Sequence, residues 1–453
     1  MKNILLSKVI SYILISILLF ILLFNIVFYD PIFGYDAEAH YAYVDYVAMY
    51  LPDSFELPSD RDSREFFNPP IAYLFPSFVA TVCRNIISAE NIVKSCQPIY
   101  GKATQIFQSI LFLITLFFYS KTLKLFIFKK SHLVLNFLIL ILLLTVNYRT
   151  ISMIRGEPYV LLFMSMVIYY YTKLLLLDKF KYSKRDILTI GFLIGLLALS
   201  RQWAFLLFPG FFFMYLNFKK DEKSSYLKFL ISVFSIAFLV SSWFYFSLFF
   251  EYGSFTAFNK NPSSFSFSNQ DLYFYIPISP EIKYIFTKPI RPFFSNQFLP
   301  ILYSDLWGDY WGYFSFTSRN LSAGLNQMMI GDYLARVNIF ALLPTFILLT
   351  SLKTPKDTDL TKEYQKFLKF IKYLISISFV GYLWFAIKYP VLPTGDTIKA
   401  SYIIQLFHLL CFPAAFKLDQ IYRKNTNFYY LIIFSLLVVF GHNLSAMLSH
   451  FRI

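Results

Sequence analysis

The run ILLSKVISYILISILLFILLFNIVF, residues 4–28, leads directly into YDPIFGYDAEAHYAY, residues 29–43. A hydrocarbon layer about 30 Å thick takes roughly 20 apolar residues per helical crossing, so the first run is long enough to span it. It is too long for a signal peptide and no small-residue cleavage site follows it, so it reads as a retained signal-anchor helix. The second run then stands at the water's edge with two carboxylates, Asp36 and Glu38, and an imidazole, His40, within five residues.

The rest of the chain repeats the first theme. Of 453 residues, 57% are hydrophobic, 21% aromatic and 15% charged, and the mean hydropathy is +0.55. Soluble domains carry about 25% charged residues, which excludes a water-soluble enzyme and a disordered chain. Further apolar runs occupy 106–128, 133–146, 159–177, 187–199, 203–216, 226–250, 337–352, 370–387, 401–416 and 428–447. The expectation is an all-α polytopic membrane protein of about eleven transmembrane helices. Its divisions are a first helix (1–28), a first outer loop (29–105), helices two to seven (106–250), a large outer loop (251–336) and helices eight to eleven (337–453).

Lysine and arginine collect in cytoplasmic loops, and their placement orients the chain. With the N-terminus inside, the inner loops carry Lys121, Lys124, Lys129 and Lys130; then Lys179, Lys181, Lys184 and Arg185; then Lys219, Lys220, Lys223 and Lys228. The last two carry Lys353, Lys356, Lys362, Lys366 and Lys369, then Lys417, Arg423 and Lys424. The net charge of +15 follows from this orientation and requires no nucleic-acid partner. Both long loops fall outside, where they should fold into short helices at the membrane surface. Cys83 and Cys96 lie in the first of them, where a disulfide can form; Cys411 lies in a span and reads as packing. No internal repeat is visible.

At the interface, desolvation raises a carboxylate's pKa and a neighbouring cation lowers it, so Asp36 can be poised as a general base. The alternative is a plain N-cap for a helix beginning at Ala37, with Glu38 in its first turn. His40 reads as a structural or supporting group. The same loop continues REFFNPPIAY, residues 64–73, where Pro70 suits an ordinary helix start; the alternative is that Arg64, Glu65 and Asn68 point at a polar ligand.

Together these residues resemble the GT-C glycosyltransferases that use polyprenyl-phosphate sugars, and within them the family 39-like group of protein O-mannosyltransferases and the lipid A aminoarabinose transferase. The resemblance lies in a first helix followed by an outer Tyr-Asp-x-Glu-x-His-Tyr and then x-Pro-Pro-apolar-x-Tyr. It extends to RGEP (155–158), to GFLIGLLALSR (191–201), to YSDLWGDYWG (303–312) and to KASY (399–402). Where many relatives place His or Lys before the Pro-Pro pair, this chain has Asn68.

The resemblance implies a sugar on a polyprenyl phosphate as donor, and a hydroxyl of a glycan, lipid or protein as acceptor. The reaction would run outside, at the extracytoplasmic face of a bacterial inner membrane. Asp36 corresponds to the acid that deprotonates the acceptor for in-line attack with inversion. The leaving lipid phosphate needs positive charge placed in advance, and Arg201, Arg155, Arg64 and Lys399 are the outer-facing candidates. Arg201 sits between two runs too short to cross comfortably, at the depth of a lipid phosphate; the alternative is an anchor snorkelling to water. His40, Glu65, Asn68 and Tyr402 are expected near the substrate. Asp305 and Asp309, four apart, would share a helical face and meet sugar hydroxyls, with Trp307 and Tyr310 stacking on the ring; the alternative is an aromatic surface loop. No cofactor is expected with certainty. A divalent cation would fall to Asp36 and Glu38, although hard cations want several oxygens.

Two other classes compete. A transporter or flippase for a lipid-linked saccharide would show polar residues at mid-span and repeat symmetry. A non-catalytic assembly subunit would tolerate loss of Asp36.

Overall fold

The computed structural model describes residues 2–51, 53–87, 91–126, 132–177, 179–291, 293, 296–315, 325–353, 362–392 and 394–450, and every regular element among them is helical. Helix α1 (Lys2–Phe28) buries Leu14, Leu18 and Ile21 and turns Leu19, Leu23 and Val27 outward. That pattern suits lipid, because the outer face has no reason to be polar. Two shorter helices follow, α2 (Ala37–Tyr50) and α3 (Ile71–Ile86), then α4 (Ile92–Lys124). Helix α4 thus begins within the expected first outer loop (29–105) and runs on into the second expected span. It starts at Ile92, where the Asn91 side chain accepts from Lys94 N–H, and carries the stretch around Lys102 despite Pro98 and Gly101. Lys102 Nζ donates to the carbonyl of Tyr29 at 2.6 Å, beside the end of α1. Cys83 and Cys96 are joined in a disulfide that ties α3 to α4.

The next crossing is broken. Helices α5 (Leu133–Leu143) and α6 (Val146–Ser152) meet at a 68° bend. A break inside hydrocarbon is tolerated only if the freed carbonyls find donors. Here Asn147 Nδ2 donates to Ile141 O at 2.8 Å and Tyr148 Oη to Leu142 O at 2.8 Å.

Helices α7 (Glu157–Leu175), α8 (Lys184–Ala198), α9 (Pro209–Tyr215) and α10 (Lys220–Tyr252) complete the first half. Gly191 and Gly195 let α8 press against α10: a Cβ at Gly191 would lie 2.8 Å from Val233 O, and one at Gly195 2.6 Å from Val240 Cβ. The second half holds α11 (Leu272–Tyr275), α12 (Phe298–Trp307), α13 (Leu325–Phe340), α14 (Leu342–Thr350), α15 (Lys362–Lys388), α16 (Ile404–Lys424) and α17 (Thr426–Met447). Helix α16 runs through the centre, with every residue from Ile404 to Phe416 buried.

Among the described residues, eight helices are long and apolar enough to cross a membrane, or nine if the bent pair counts as one. The expectation of eleven does not follow from length and composition. The two remaining runs are α8, with 15 residues, and the pair Gln202–Leu207 and α9, which is too short by itself. Both still travel between the two ends of the bundle, because Arg201 interrupts what would otherwise be continuous apolar chain. The loops expected inside do gather at one end. Phe180 N–H donates to Glu222 Oε1 at 3.0 Å, and His132 N–H to Asp419 Oδ1 at 2.8 Å. Lys129, Lys130 and Lys356 of those loops, and the end of the second expected run, lie outside the described residues.

Candidate active site

Four segments converge at the opposite end: the α1–α2 junction, the loop before α3, the breaks at either side of α7 and α8, and the loop before α16. Asp30 accepts from Ile32 N–H at 3.2 Å and starts a short turn over Pro31–Phe33. The chain then enters α2 through Asp36, whose backbone is left-handed at φ 50° and ψ 24°. Such a backbone costs a non-glycine residue about 1 kcal/mol and persists where its surroundings impose it. Tyr35, fully buried, is what imposes it: its carbonyl accepts from Arg155 Nη2 at 2.9 Å, and the Arg155 guanidinium lies 5.1 Å from its ring.

Asp36 occupies the N-cap position, yet its side chain caps nothing. Instead Lys399 Nζ donates to Asp36 Oδ2 at 3.2 Å. The Asp36 side chain is 39% exposed and the Lys399 side chain 10%, so the carboxylate is reachable while its partner is held from behind. The Lys399 ammonium, working against partial burial and aided by Arg155, holds the Asp36 carboxyl well below the usual carboxylate range. Lys399 Nζ sits between the rings of Tyr35 and Tyr402, 5.2 and 5.4 Å from their centroids.

Arg201 breaks the chain between α8 and the short helix Gln202–Leu207. It is largely buried yet lines the cavity, donates from Nη2 to Glu157 Oε1 at 2.9 Å and from Nη1 to Asn68 Oδ1, and lies 4.0 Å from Glu65 Oε2. The Trp203 and Tyr402 rings flank its guanidinium at 5.2 and 5.9 Å. Its Nε, like that of Arg155, is buried with no partner among the described residues. Asn68 bridges Arg201 to Glu65 and so positions the cation. Burial pushes the Glu65 carboxyl up to about 7 against the pull of Arg201. Gly156 makes the close approach possible: a Cβ there would stand 2.3 Å from Ser200 O and 2.9 Å from Arg201 Cγ.

Asp36, Arg64, Glu65, Arg201, Lys399 and Tyr402 all line one cavity of about 240 Å³. Arg155 and Asn68 stand behind its wall. His40 does too, buried against Tyr73 with Nδ1 2.7 Å from the hydroxyl; burial and the surrounding arginines keep its imidazole pKa well below normal, hence neutral. Glu38 is exposed on the first turn of α2 and does not line the cavity.

Three expectations are corrected. Asp305 does not face a sugar: it is fully buried, pairs with Arg149 at 2.9 Å and accepts from Ala400 N–H at 2.7 Å. It thereby fixes the backbone beside Lys399. Asp309 does not share a helical face with it, because α12 ends at Trp307; its carboxylate accepts from Phe314 and Ser315 N–H at 2.9 and 2.7 Å. Trp307 and Tyr310 are buried away from the cavity. Its aromatic wall is Trp203, Trp311, Tyr313 and Phe258, with Arg291, Lys260 and Asp396 as further charges. Trp311 lies in the motif at 303–312, whereas Trp203, Tyr313 and Phe258 were not singled out in the sequence, because an apolar run or an irregular loop gives no spacing to mark them.

A divalent cation does not fit. Among the described residues no three His, Cys, Asp or Glu side chains stand together, and the position beside Asp36 is taken by an ammonium.

No protein-family model matches the chain, and no curated protein matches it in sequence. Among solved structures it is similar to ArnT from Cupriavidus metallidurans bound to undecaprenyl phosphate, at 9% identity and a TM-score of 0.49 over 93% of this chain and 62% of that one. It is also similar to an Archaeoglobus fulgidus oligosaccharyltransferase in the apo form, at 12% identity and 0.49 over 98% of this chain and 57% of that one. A third is the Archaeoglobus fulgidus oligosaccharyltransferase AglB in complex with an inhibitory peptide and a dolichol-phosphate, at 12% and 0.45 over 96% of this chain and 56% of that one. The chain spans less than two thirds of the length of each.

Proposed function

We propose that this chain is an inverting membrane glycosyltransferase of the GT-C type. It moves a sugar from a polyprenyl phosphate to an acceptor hydroxyl at the outer face of the membrane. The observation that carries the reading is a reachable carboxylate, Asp36, held against Lys399 in a cavity where the cations Lys399, Arg201, Arg64, Arg291 and Lys260 outnumber the acids Asp36, Glu65 and Asp396. In the step, the acceptor oxygen bonds to the anomeric carbon and its proton passes to Asp36. The bond from the anomeric carbon to the phosphate oxygen breaks, and the electron pair leaves with the lipid phosphate. The cations stabilise that anion where it forms, and the guanidinium forks suit phosphate oxygens.

Asp36 paired to Lys399 is a weak base. A donor phosphate that shares Lys399 returns proton affinity to Asp36, since a nearby anion disfavours a second one. The base thus strengthens when the donor is in place.

Two features support the outer face. The disulfide lies at the cavity's end of the bundle and suits an oxidising compartment, while the lysine-rich loops gather at the other. Equilibrium binding of undecaprenyl phosphate to the detergent-solubilised protein tests the donor assignment. Arg201→Gln should weaken binding about tenfold or more, the loss of a charge-assisted phosphate contact. Equal affinity in the variant would contradict it.

A further inference from the structure

Beside the Asp36 cavity lies a larger cleft of about 550 Å³. The two share Arg64, Phe258, Asn259 and Lys260 in their walls, so an occupant of the larger cleft reaches toward Asp36. The cleft is assembled from three segments joined by hydrogen bonds. Asp60 N–H donates to Tyr252 Oη at 3.1 Å, linking the loop before α3 to the end of α10. Ser263 N–H donates to Lys388 O at 2.9 Å, linking the segment after α10 to the end of α15.

Its charge is uneven. Arg64, Lys260 and Lys388 line it against one acid, Asp60, and none of the three cations is in an ion pair among the described residues. Surface cations are usually balanced nearby; three unpaired ones around one concave site raise the local concentration of anions. Tyr252, Tyr389 and Phe66 supply ring faces between them, and small-molecule sites combine such apolar walls with a few placed polar groups.

We propose that this cleft seats the acceptor, and that the acceptor is a saccharide bearing an acidic group, a carboxylate or a phosphate. The assignment rests on the transferase reading above and names its acceptor class. The cations hold the acid while a neighbouring hydroxyl projects past Phe258 to Asp36.

Binding to the full-length protein in detergent tests this with tetragalacturonate against its uncharged methyl ester, and with phosphorylated mannopentaose against mannopentaose. At least one acidic probe should bind about tenfold more tightly than its neutral counterpart, and the tighter of the two identifies the acid. Lys388→Glu should weaken that probe by about tenfold, the effect of reversing one nearby charge, and Lys388→Arg should restore it. Lys181→Glu, at the opposite end of the molecule, should not weaken it. Equal binding of acidic and neutral probes, or equal losses in Lys388→Glu and Lys181→Glu, would overturn the assignment, the second because net charge alone would then explain the binding. Undecaprenyl phosphate titrated into the same samples reads the donor separately. Failure of both acidic probes with lipid-phosphate binding intact overturns the acceptor class and leaves the transferase reading standing.

Discussion

Glu65 is the residue whose titration exposes the site's design. Its folded pKa of about 7 lies above the ordinary 4.5 because burial disfavours its charge. The folded state therefore holds a proton that the unfolded state releases, and Glu65's contribution to stability is full below about 4.5 and lost as pH rises through about 7. Glu65→Gln should flatten the dependence of thermal stability on pH across that window; an unchanged slope would exclude Glu65 as its source. Once ionised, Glu65 also competes with a donor phosphate for Arg201, so lipid-phosphate affinity should fall above about pH 7 in the wild type and not in Glu65→Gln. Lys399 makes the second prediction at this scale. In Lys399→Gln, Asp36 loses its largest depressing partner and should titrate closer to its ordinary 3.8. The acid limb of the activity profile should then move up in pH relative to wild type. An acid limb that stays put would remove Lys399 as the group that sets Asp36.

The elements explain how much of this was legible in the sequence. Arg201 is legible because it stands between two short apolar runs, and Asp36, Lys399 and Tyr402 because they fall in the short motifs that carry the resemblance. Asp305 and Asp309 mislead because their spacing suggests one helix, whereas α12 ends at Trp307 and Gly308 caps it. Hydropathy also counts crossings from apolar length, which shows the two short runs around Arg201 but hides the bend between α5 and α6. The breaks are where function is held. Gly156→Ala should displace Ser200 and Arg201, since its Cβ would fall 2.3 Å from a backbone oxygen. Lipid-phosphate affinity should drop about tenfold, with melting lowered by a few degrees; unaltered affinity would mean that this approach does not position Arg201. Helices α3 and α4 are tied by the disulfide. Opening the disulfide with Cys83→Ser, which frees a loop of 13 residues' separation, should cost about 3 kcal/mol, read as a fall in melting temperature in detergent that added reductant reproduces in the wild type. Stability unaffected by either would show that the packing of α3 on α4 does not depend on the crosslink.

The whole molecule sorts its charge by end: lysine-rich loops at one, the cation-lined cavities at the other. Fold class and the gathering of lysine-rich loops at one end were legible in composition and lysine placement, whereas the cavity walls were not, because they come from loops brought together only by the bundle. The arrangement predicts that Asn259→Cys in intact cells reacts with a membrane-impermeant maleimide while Lys181→Cys reacts only after lysis; the reverse pattern would place the site in the cytoplasm. The central claim, that Asp36 receives the acceptor's proton, is tested most directly by sugar release from a panel of labelled polyprenyl-phosphate sugars with the full-length protein. Asp36→Asn should lower turnover by about 10²- to 10⁴-fold, the usual contribution of a positioned base, while undecaprenyl-phosphate affinity is kept. Turnover near the wild-type rate in Asp36→Asn would contradict the account.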